Sequence, residues 1–497
     1  MKWQWMRIAL IGINLVMVFY TSSIFGQNNS FIKIISTENS EYVSAAVEIP
    51  GEGYILSITD KIADFNIQRF IKINLSGDTI VSRSINGLNS KAWVSQLINL
   101  QDNTFMGIGI LSSIENTMNK LWVIIFDCEL NIIKEKRYEV PYSIFKIGKC
   151  LDHFGNVIIN GYYSDTDNIN MEDVFIFRLS INGDSLRYSR LQYPGSQYSS
   201  SICEKPDNSG YYMPIWGRMT SQNLYLANMV ELDFEFIITF EDSITNDVGF
   251  LNNIRKFNEH QYLLSGQTWI PYTSSKDNEF IAIEKLDALY LAYNYQKIGP
   301  YLIDTITYPA WLQNMDFIDT TNIFCGGTVN LNIYPNPDSK SYLILANLDN
   351  ELNTKWQYFY GLDKYYEMHG ILAAQDGGCL MLATYFNFIE NEYERDIILI
   401  KVDSNGLITG INQEPEFEIS NAIIYPNPGI EYFNIQSGPQ ISGAEFYLFD
   451  VNGKAVIVEK ITNTLLKVNT AYLPAGTYPW QIVFKNKVIE SGKWVKN

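Results

Sequence analysis

The sequence predicts an all-β protein in which a long array of repeats precedes a small terminal β-domain. Short apolar segments alternate with turns rich in Gly, Asn and Asp along most of the 497 residues. Aromatic residues are abundant, with 33 Tyr and 27 Phe, and these residues favour strands over helices. The same turn pattern also returns about every 53 residues, which indicates a repeat architecture.

Residues 1–26 have the composition of a secretory signal peptide. Lys2 and Arg7 flank the start of an apolar run of about 13 residues, which ends in small polar residues. That run is too short to span a bilayer comfortably. We therefore expect an exported protein, with cleavage between Gly26 and Gln27.

A two-part unit recurs between residues 27 and 410. Its first part is a polar turn followed by an aromatic or aliphatic strand and often a Gly, as in Gly51-Glu52-Gly53-Tyr54-Ile55-Leu56 and Asp102-Asn103-Thr104-Phe105-Met106-Gly107. Its second part, about twenty residues later, is an apolar strand that ends at a polar turn residue. The seven copies of this turn residue are Asn74, Asp127, Ser180, Asp233, Asp287, Asp349 and Asp403. Their spacings are 53, 53, 53, 54, 62 and 54 residues.

A period near 53 residues that holds about four short strands has the length of one propeller blade. Seven copies predict a seven-bladed β-propeller over residues 27–410. The last copy, after Asp403, has no room for its fourth strand, but a matching strand at Phe31–Ile35 precedes the first copy. We expect the two chain ends to complete one blade together, which would close the ring and protect two sheet edges.

Residues 423–497 predict a separate small β-sandwich. Six short segments alternate between apolar and polar positions and are separated by turns with Gly or Asn, as hairpin-connected strands require. The motifs of this region, in order, are Tyr425-Pro426-Asn427-Pro428, Phe449-Asp450-Val451-Asn452-Gly453-Lys454, Leu473-Pro474-Ala475-Gly476-Thr477-Tyr478 and Gly492-Lys493.

These motifs, in this order and spacing, resemble the type A C-terminal sorting domain of the type IX secretion system of Bacteroidetes. The resemblance implies an immunoglobulin-like domain that directs export across the outer membrane to the cell surface or beyond. It also implies two partners, the secretion machinery with the sortase that removes the domain, and anionic lipopolysaccharide as the anchor. The residues that it marks as the sorting signal are Tyr425, Pro426, Asn427, Pro428, Gly453, Gly476, Tyr478, Gly492 and Lys493.

Three of these sorting-signal features carry structural expectations. Residues 425–428 should form a rigid start to the first strand, because proline fixes its own φ. Gly453 and Gly476 should supply turns with positive φ. A second copy of the proline motif, residues 334–337, is interpreted as a simple turn, since no comparable series of strands follows it.

The amino-acid sequences of the repeats resemble the degenerate propeller repeats that often precede such sorting domains. The resemblance is seen in Leu348-Asp349-Asn350-Glu351-Leu352 and in Lys401-Val402-Asp403-Ser404-Asn405-Gly406. This likeness supports the fold and is nearly silent on activity. Residues 411–422, an acidic stretch that contains Pro415, predict a linker and the region of processing.

The formal net charge of −18 indicates that the chain binds nucleic acid or an anionic membrane poorly. The five cysteines have no CxxC or other metal-binding spacing. They predict small buried side chains, with one or two disulfides left open for an exported protein.

No motif of a known catalytic centre is present, so the sequence predicts no catalytic residue and no cofactor. The repeated Asp of the second unit is interpreted as a turn residue that accepts hydrogen bonds from backbone N–H groups two residues on. Asp165, Asp167 and Asn170 provide the alternating oxygen atoms of a calcium loop, but the Gly that such a loop needs is missing. A polar loop between strands is the favoured interpretation, with calcium as the alternative.

Histidine and tryptophan offer two further candidate sites. The three histidines, His153, His260 and His369, lie just before or inside the Gly-rich turns of separate blades, which argues against a shared zinc ion. Six tryptophans could stack on a sugar, although packing between blades is the favoured interpretation. They are Trp93, Trp122, Trp216, Trp269, Trp311 and Trp356.

The sequence therefore predicts an exported, surface-anchored propeller that serves as a rigid platform for binding a glycan or protein ligand. The alternative is a secreted hydrolase or lyase that acts on polysaccharide or protein at the mouth of the propeller channel. A purely structural stalk is a third interpretation, which the sequence does not separate from the first.

Overall fold

The computed structural model describes residues 30–408 and 422–497 apart from short segments, which are residues 63–64, 86–89, 101, 114–119, 140–142, 166–167, 192–194, 200, 219–224, 244–247, 269–278, 288, 290–291, 301–305, 333–334, 336–338, 362–363, 387–393, 438–442, 464 and 485–486. The predicted signal peptide with its cleavage site at Gly26 and Gln27, and the predicted linker except Ala422, lie outside the described residues. The regular structure that is described consists of strands, which confirms the all-β prediction. No helix that could span a membrane occurs in this part of the chain.

Strands β1 to β30 form seven consecutive units in the described part of the chain, and the strands within each unit pair antiparallel. Units 1 and 2 belong to one eight-stranded sheet, because Asn66 in the third strand of unit 1 pairs in parallel with Lys91 in the first strand of unit 2. Unit 1 contains β2 (Ser40–Ile49), β3 (Gly53–Ile62), β4 (Phe65–Asn74) and β5 (Thr79–Ser84). Unit 2 contains β6 (Ser90–Asn99), β7 (Thr104–Ser113), β8 (Lys120–Asp127) and β9 (Ile132–Glu139). Unit 3 contains β10 (Ser143–Leu151), β11 (Val157–Asp165), β12 (Asn168–Leu179) and β13 (Ser185–Leu191). Unit 4 contains β14 (Gln197–Tyr198), β15 (Cys203–Glu204), β16 (Tyr211–Arg218), β17 (Tyr225–Leu232) and β18 (Ile238–Ser243).

The remaining three units follow the same plan. Unit 5 contains β19 (Val248–Lys256), β20 (Gln261–Thr268), β21 (Ile281–Asp287) and β22 (Ala292–Ile298). Unit 6 contains β23 (Thr307–Pro309), β24 (Met315–Asp316), β25 (Ile323–Val329), β26 (Tyr342–Leu348) and β27 (Thr354–Tyr360). Unit 7 contains β28 (Tyr365–Ala373), β29 (Cys379–Phe386), β30 (Arg395–Val402) and, from the other end of the chain, β1 (Phe31–Ile35). In units 4 and 6 the first strand is split into two short pieces that pair with the same second strand.

The pairing of β1 with β30 confirms the expected contribution of the N-terminal strand to the last unit. The two strands are antiparallel, with Phe31 opposite Lys401 and Ile35 opposite Ile397. The first and last units also share an apolar cluster that includes Tyr54 and Leu399. Similar clusters connect each unit with the next, so packing between units recurs along the whole array.

Burial differs with the position of a strand in its unit. Second and third strands are buried on both faces, as in β8, where six consecutive residues are buried, because a neighbouring unit covers each face. Fourth strands are largely exposed, and exposed and half-buried positions alternate along them, as in β9, which contains several charged residues. Charged side chains on an edge strand hinder pairing with other chains.

The polar residue at the end of each third strand forms the predicted turn. In all seven copies its side-chain oxygen accepts a hydrogen bond from the backbone N–H two residues later, with distances of 2.8–3.2 Å. This confirms the structural interpretation of the repeated Asp. The bonds hold the chain in the tight turn that leads to the fourth strand.

The terminal domain has two sheets around one core. Its strands are β31 (Ala422–Tyr425), β32 (Tyr432–Ser437), β33 (Glu445–Phe449), β34 (Ala455–Lys460), β35 (Leu465–Asn469), β36 (Gly476–Phe484) and β37 (Lys487–Lys496). One sheet has the order β31-β32-β35 and the other β34-β33-β36-β37. Phe433 from the first sheet packs against Phe446 and Trp494 from the second, with ring centroids 5.6 and 5.0 Å apart.

Candidate functional site

A cavity of about 440 Å³ lies between the first strands of the units, and we call it the inner cavity. Residues from all seven units line it, because every unit directs its first strand toward this space. Among its lining residues are Val47, Gln96, Lys149, Glu204 and Arg255. Its volume lies within the range of small-molecule sites.

Five of the first strands contain a β-bulge at an equivalent position. The extra residue that interrupts the pairing with the second strand is Ser44, Ser95, Lys146, Asn252 or His369. All five are polar, and a bulge turns such a residue away from the pleated pattern of its strand. Sequence reasoning named His369 only as one of three histidines and did not identify the other four, although a polar residue inside an otherwise apolar segment was a usable signal.

Two of the bulge residues connect units that are not consecutive. The Nζ of Lys146 in unit 3 donates a hydrogen bond to Oδ1 of Asn252 in unit 5, at 2.7 Å. The Nδ2 of Asn252 donates in turn to the carbonyl oxygen of Ala310 in unit 6, at 2.7 Å. Burial lowers the pKa of Lys146 to about 8.

Lys149 and Arg255 place two positive charges at the inner cavity. The ammonium of Lys149 donates a hydrogen bond to the carbonyl oxygen of Leu97. Burial, with a smaller contribution from the positive charge of Arg255, lowers the pKa of Lys149 to about 8. Burial also lowers the pKa of Arg255 to about 10. The Arg255 side chain is nevertheless 37% exposed, because it borders the cavity.

Two carboxylates line the inner cavity among the described residues, and both already have bonded partners. Asp316 forms an ion pair with Arg255 and accepts a hydrogen bond from the backbone N–H of Ala373 at 2.8 Å. Glu204 lies 2.5 Å from Nδ1 of His153. A hydrolytic pair of carboxylates would need both groups directed at a substrate.

The three histidines occupy different environments. His153 and His260 lie in turns, as predicted, but the prediction was wrong for His369, which lies inside β28. There it occupies the bulge, where its Nε2 lies 3.0 Å from Oγ1 of Thr384 and burial lowers its pKa. Among the described residues, no group of three or more His, Cys, Asp or Glu side chains has the geometry to hold a metal ion.

The calcium prediction remains untested. Asp165 ends β11 and Asn170 lies in β12, and these strands pair around residues 166–167. Asp167 lies outside the described residues, as do the side chains of Asp165 and Asn170.

The predicted aromatic packing is found for most of the candidate tryptophans. Trp122 is fully buried, and Trp216 stacks on Tyr198 with centroids 4.6 Å apart. Trp93 and Trp356 pack against apolar clusters between units. Trp311 is 43% exposed and Trp269 lies outside the described residues. The five cysteines are all described, and none of them is in a disulfide.

The two ends of the terminal domain meet at one edge. Asn427 donates a hydrogen bond through Nδ2 to the carbonyl oxygen of Lys493 at 2.8 Å, and its Oδ1 accepts one from the N–H of Val495 at 2.9 Å. The indole N–H of Trp494 donates to the carbonyl oxygen of Pro426 at 2.8 Å. The proline motif and strand β37 are therefore joined into one surface, which sequence spacing alone did not reveal.

The backbone conformation at the proline motif and at two predicted glycines can be compared with the expectations. The Tyr425–Pro426 and Asn427–Pro428 peptide bonds are cis. Gly453 has a φ of 79°, as predicted for a turn. The same prediction was wrong for Gly476, which is the first residue of β36 and pairs with Lys496, because an extended strand needs no positive φ.

Tyr478 and Gly492 lie in the paired strands β36 and β37, and the ring of Tyr478 packs against that of Trp494 with centroids 6.0 Å apart. The hydroxyl of Tyr478 donates to the carbonyl oxygen of Pro474 at 2.8 Å. A side chain at Gly492 would meet the ring of Trp480 at 2.6 Å, so the ring requires a glycine there.

Residues 423–497 match the family described as secretion system C-terminal sorting domain. Together with the motifs and the two-sheet fold, this match identifies the terminal region as a type IX secretion sorting domain. The chain is thus a cargo of that machinery, exported to the cell surface or the extracellular space.

No curated protein matches this chain. Several solved structures resemble it at low sequence identity. PorZ, a surface component of the type IX secretion system of Porphyromonas gingivalis, is 10% identical with a TM-score of 0.29, over 92% of this chain and 75% of that chain. The β-propeller domain of the Trilobed protease from Pyrococcus furiosus is 11% identical with a TM-score of 0.44, over 75% and 99% of the two chains. Acylaminoacyl peptidase from Pyrococcus horikoshii is 13% identical with a TM-score of 0.43, over 82% and 59%.

Proposed function

We propose that the seven units form a closed seven-bladed β-propeller over residues 27–410, joined by residues 411–422 to the sorting domain at 423–497. The pairing of β1 with β30 supports closure, because it brings both ends of the array into one unit. The apolar cluster shared by units 7 and 1 supports it as well. The lining of one cavity by first strands from every unit is the arrangement that a propeller channel would have.

We further propose that this propeller is a binding platform on the cell surface, with the inner cavity as its ligand site. One observation carries this proposal: the cavity has the volume of a small-molecule site, whereas both of its described carboxylates are bonded to other protein groups. A segment of a glycan or of a protein could occupy a site of this size and polarity.

The experiment must separate binding from hydrolysis. The purified exported chain is incubated with a panel of polysaccharides and peptides, while retention is measured together with new reducing ends and new amino termini. We expect retention of a ligand without cleavage. Cleavage that is abolished by Glu204→Gln or Asp316→Asn, in protein that stays folded, would establish the hydrolase instead.

We also propose that the exported chain is processed in residues 411–422 and anchored to anionic lipopolysaccharide. Export through the sorting domain supports this proposal, because the acidic residues 411–422 separate the seven units from the domain that directs export. Intact mass and cell fractionation test it. A surface-bound product that begins at Gln27, ends within the linker and carries heterogeneous added mass is expected. A surface protein that still ends at Asn497 would contradict processing.

A further inference from the structure

The inner cavity is lined by more positively charged side chains than negatively charged ones. Lys149, Arg255 and Lys256 line it together with the carboxylates of Glu204 and Asp316. Asp316 is paired with Arg255, and Glu204 with His153. Within the described residues, Lys149 has one hydrogen-bond partner, the carbonyl oxygen of Leu97. The site therefore has an excess of positive charge inside a protein whose net charge is −18.

Lys149 is partly exposed at the wall of the cavity, but an ammonium with no carboxylate beside it is still costly there, because it has lost part of its hydration without gaining a counter-ion. The lowered pKa of Lys149 reflects this cost, and the repulsion from Arg255 adds to it. An anion placed between Lys149 and Arg255 would give Lys149 a counter-ion and would reduce the repulsion between the two positive charges. Two of the three ammonium donors of Lys149 remain for such a ligand.

Arg255 is also held in a position from which it could contact such an anion. Asp316 binds one guanidinium nitrogen, and Asp316 is itself held by the backbone N–H of Ala373. The guanidinium also lies over the ring of Phe317, 4.4 Å from its centroid. A guanidinium held on one edge and one face keeps further N–H groups in a rigid fork, which suits a carboxylate or sulfate group.

We propose that the inner cavity binds a small organic anion, whose anionic group lies between Lys149 and Arg255. This inference rests on the proposed binding function and adds the chemical class of the ligand. The cavity volume of about 440 Å³ accommodates a ligand of the size of an acidic sugar. Gln96 and Asn253 line the same cavity. The Nε2 of Gln96 already donates to the carbonyl oxygen of Ile147 and the Nδ2 of Asn253 to Oδ1 of Asn314, so their amide oxygens are the groups that would accept hydrogen bonds from hydroxyls of the ligand.

Calorimetric titration of the full exported chain tests the inference with three probes. Glucuronate carries the proposed anionic group, glucose is its neutral match, and inorganic sulfate is an anionic group without the sugar. We expect glucuronate and sulfate to bind at low ionic strength and glucose to bind at least about tenfold more weakly, since a hydrogen bond to a charged group is worth more than a neutral one. Loss of binding with added sodium chloride is expected as well.

The variant Lys149→Met should weaken glucuronate binding by at least about tenfold, whereas Arg255→Lys should weaken it less because the charge is kept. Lys91→Met is the matched control, since Lys91 is an exposed lysine on β6, the first strand of unit 2, and does not line the cavity. Circular dichroism checks that each variant is folded.

Two outcomes would overturn the inference. If the folded chain binds neither glucuronate nor sulfate, the anionic class is wrong. If glucose binds as tightly as glucuronate and Lys149→Met has no effect, the cavity is a ligand site for neutral molecules, and the proposed binding function survives without this inference. Cleavage of a substrate at the cavity would instead reject the binding function itself.

Discussion

At the scale of single residues, Gly210 shows how the two parts of a repeat contact each other. Its φ is 153°, and a Cβ there would overlap the carbonyl oxygen of Leu232, the residue before the turn at Asp233. Gly53 has the same relation to Ile73 in unit 1. The glycine of the first part thus allows close approach to the end of the third strand, so the pattern found in the sequence reflects a contact.

The substitution Gly210→Ala should lower the free energy of unfolding by roughly 2–4 kcal/mol, because it combines a strained φ with overlap against backbone atoms. Gly51→Ala is the control, since Gly51 also has a positive φ, 77°, but has open space around its Cβ position. That change should cost only about 1 kcal/mol. Urea unfolding of both variants measures the difference, and equal losses would show that backbone strain alone matters.

Glu41 offers a prediction about pH. It is fully buried in β2, and burial, together with the negative charges of Asp60 and Asp396, raises its pKa to about 7. In the unfolded chain it would ionise near its ordinary value of 4.5. Its contribution to stability is therefore complete below pH 4.5, declines as the pH rises to about 7, and stays lost above that value.

The substitution Glu41→Gln should remove this dependence and raise the free energy of unfolding at pH 8 by up to about 3 kcal/mol. Unfolding by urea at pH 5 and at pH 8 tests it. Glu38→Gln, at an exposed position three residues earlier, should change neither value. If Glu41→Gln were equally destabilising at both pH values, the carboxyl would be ionised in the folded protein.

At the scale of elements, the sorting domain depends on an edge strand that is held by a side chain. Strand β37 is at the edge of its sheet, and the amide of Asn427 pairs with its backbone at two places. An unpaired edge is prone to fray or to pair with another chain. Asn427 therefore connects the first and last motifs of the sorting signal.

Asn427→Ala should remove both hydrogen bonds and destabilise the last strand by roughly 1–3 kcal/mol. Hydrogen exchange should accelerate at residues 487–496 and remain unchanged in the seven units, and less protein should reach the cell surface. Asn463→Ala, at an exposed position of the same domain outside the sorting motifs, should leave both readouts unchanged. Normal export of a chain with a frayed β37 would show that secretion does not require this surface.

Strand positions were largely predictable because period-two alternation marks each segment and turn residues separate them. The split first strands of units 4 and 6 were not predicted, nor were the bulges at residues such as Lys146 and Asn252. Bulges depend on what faces a residue across the cavity, and that information lies in other units. The same reason explains why Lys149 and Arg255 were not identified as a site.

At the scale of the whole molecule, the proposed closure of the array rests on the pairing of β1 with β30. Ile34 lies directly opposite Ile398, so the variant with cysteine at both positions should form a disulfide upon oxidation. Because the bridge joins the two ends of the array, it should raise the free energy of unfolding by roughly 2–4 kcal/mol.

The control pairs cysteine at position 34 with cysteine at position 399, whose side chain points to the opposite face of the strand. Mass spectrometry of digested protein distinguishes the two bridges from any that involve the five native cysteines. Absence of the 34–398 bridge, or equal yields for both variants, would contradict the register of β1 and the proposed closure.

The sequence by itself determined the all-β class, the repeat period, the role of the N-terminal strand and the sorting domain at the C-terminus. These properties follow from local patterns, because turns, alternation and motif spacing are encoded in neighbouring residues. The tertiary structure decided which residues surround the inner cavity, where Lys149 and Arg255 are 106 residues apart in sequence, and how Asn427 contacts β37. Burial and electrostatic interaction depend on distances through space, so they were fixed only when distant parts of the chain came together.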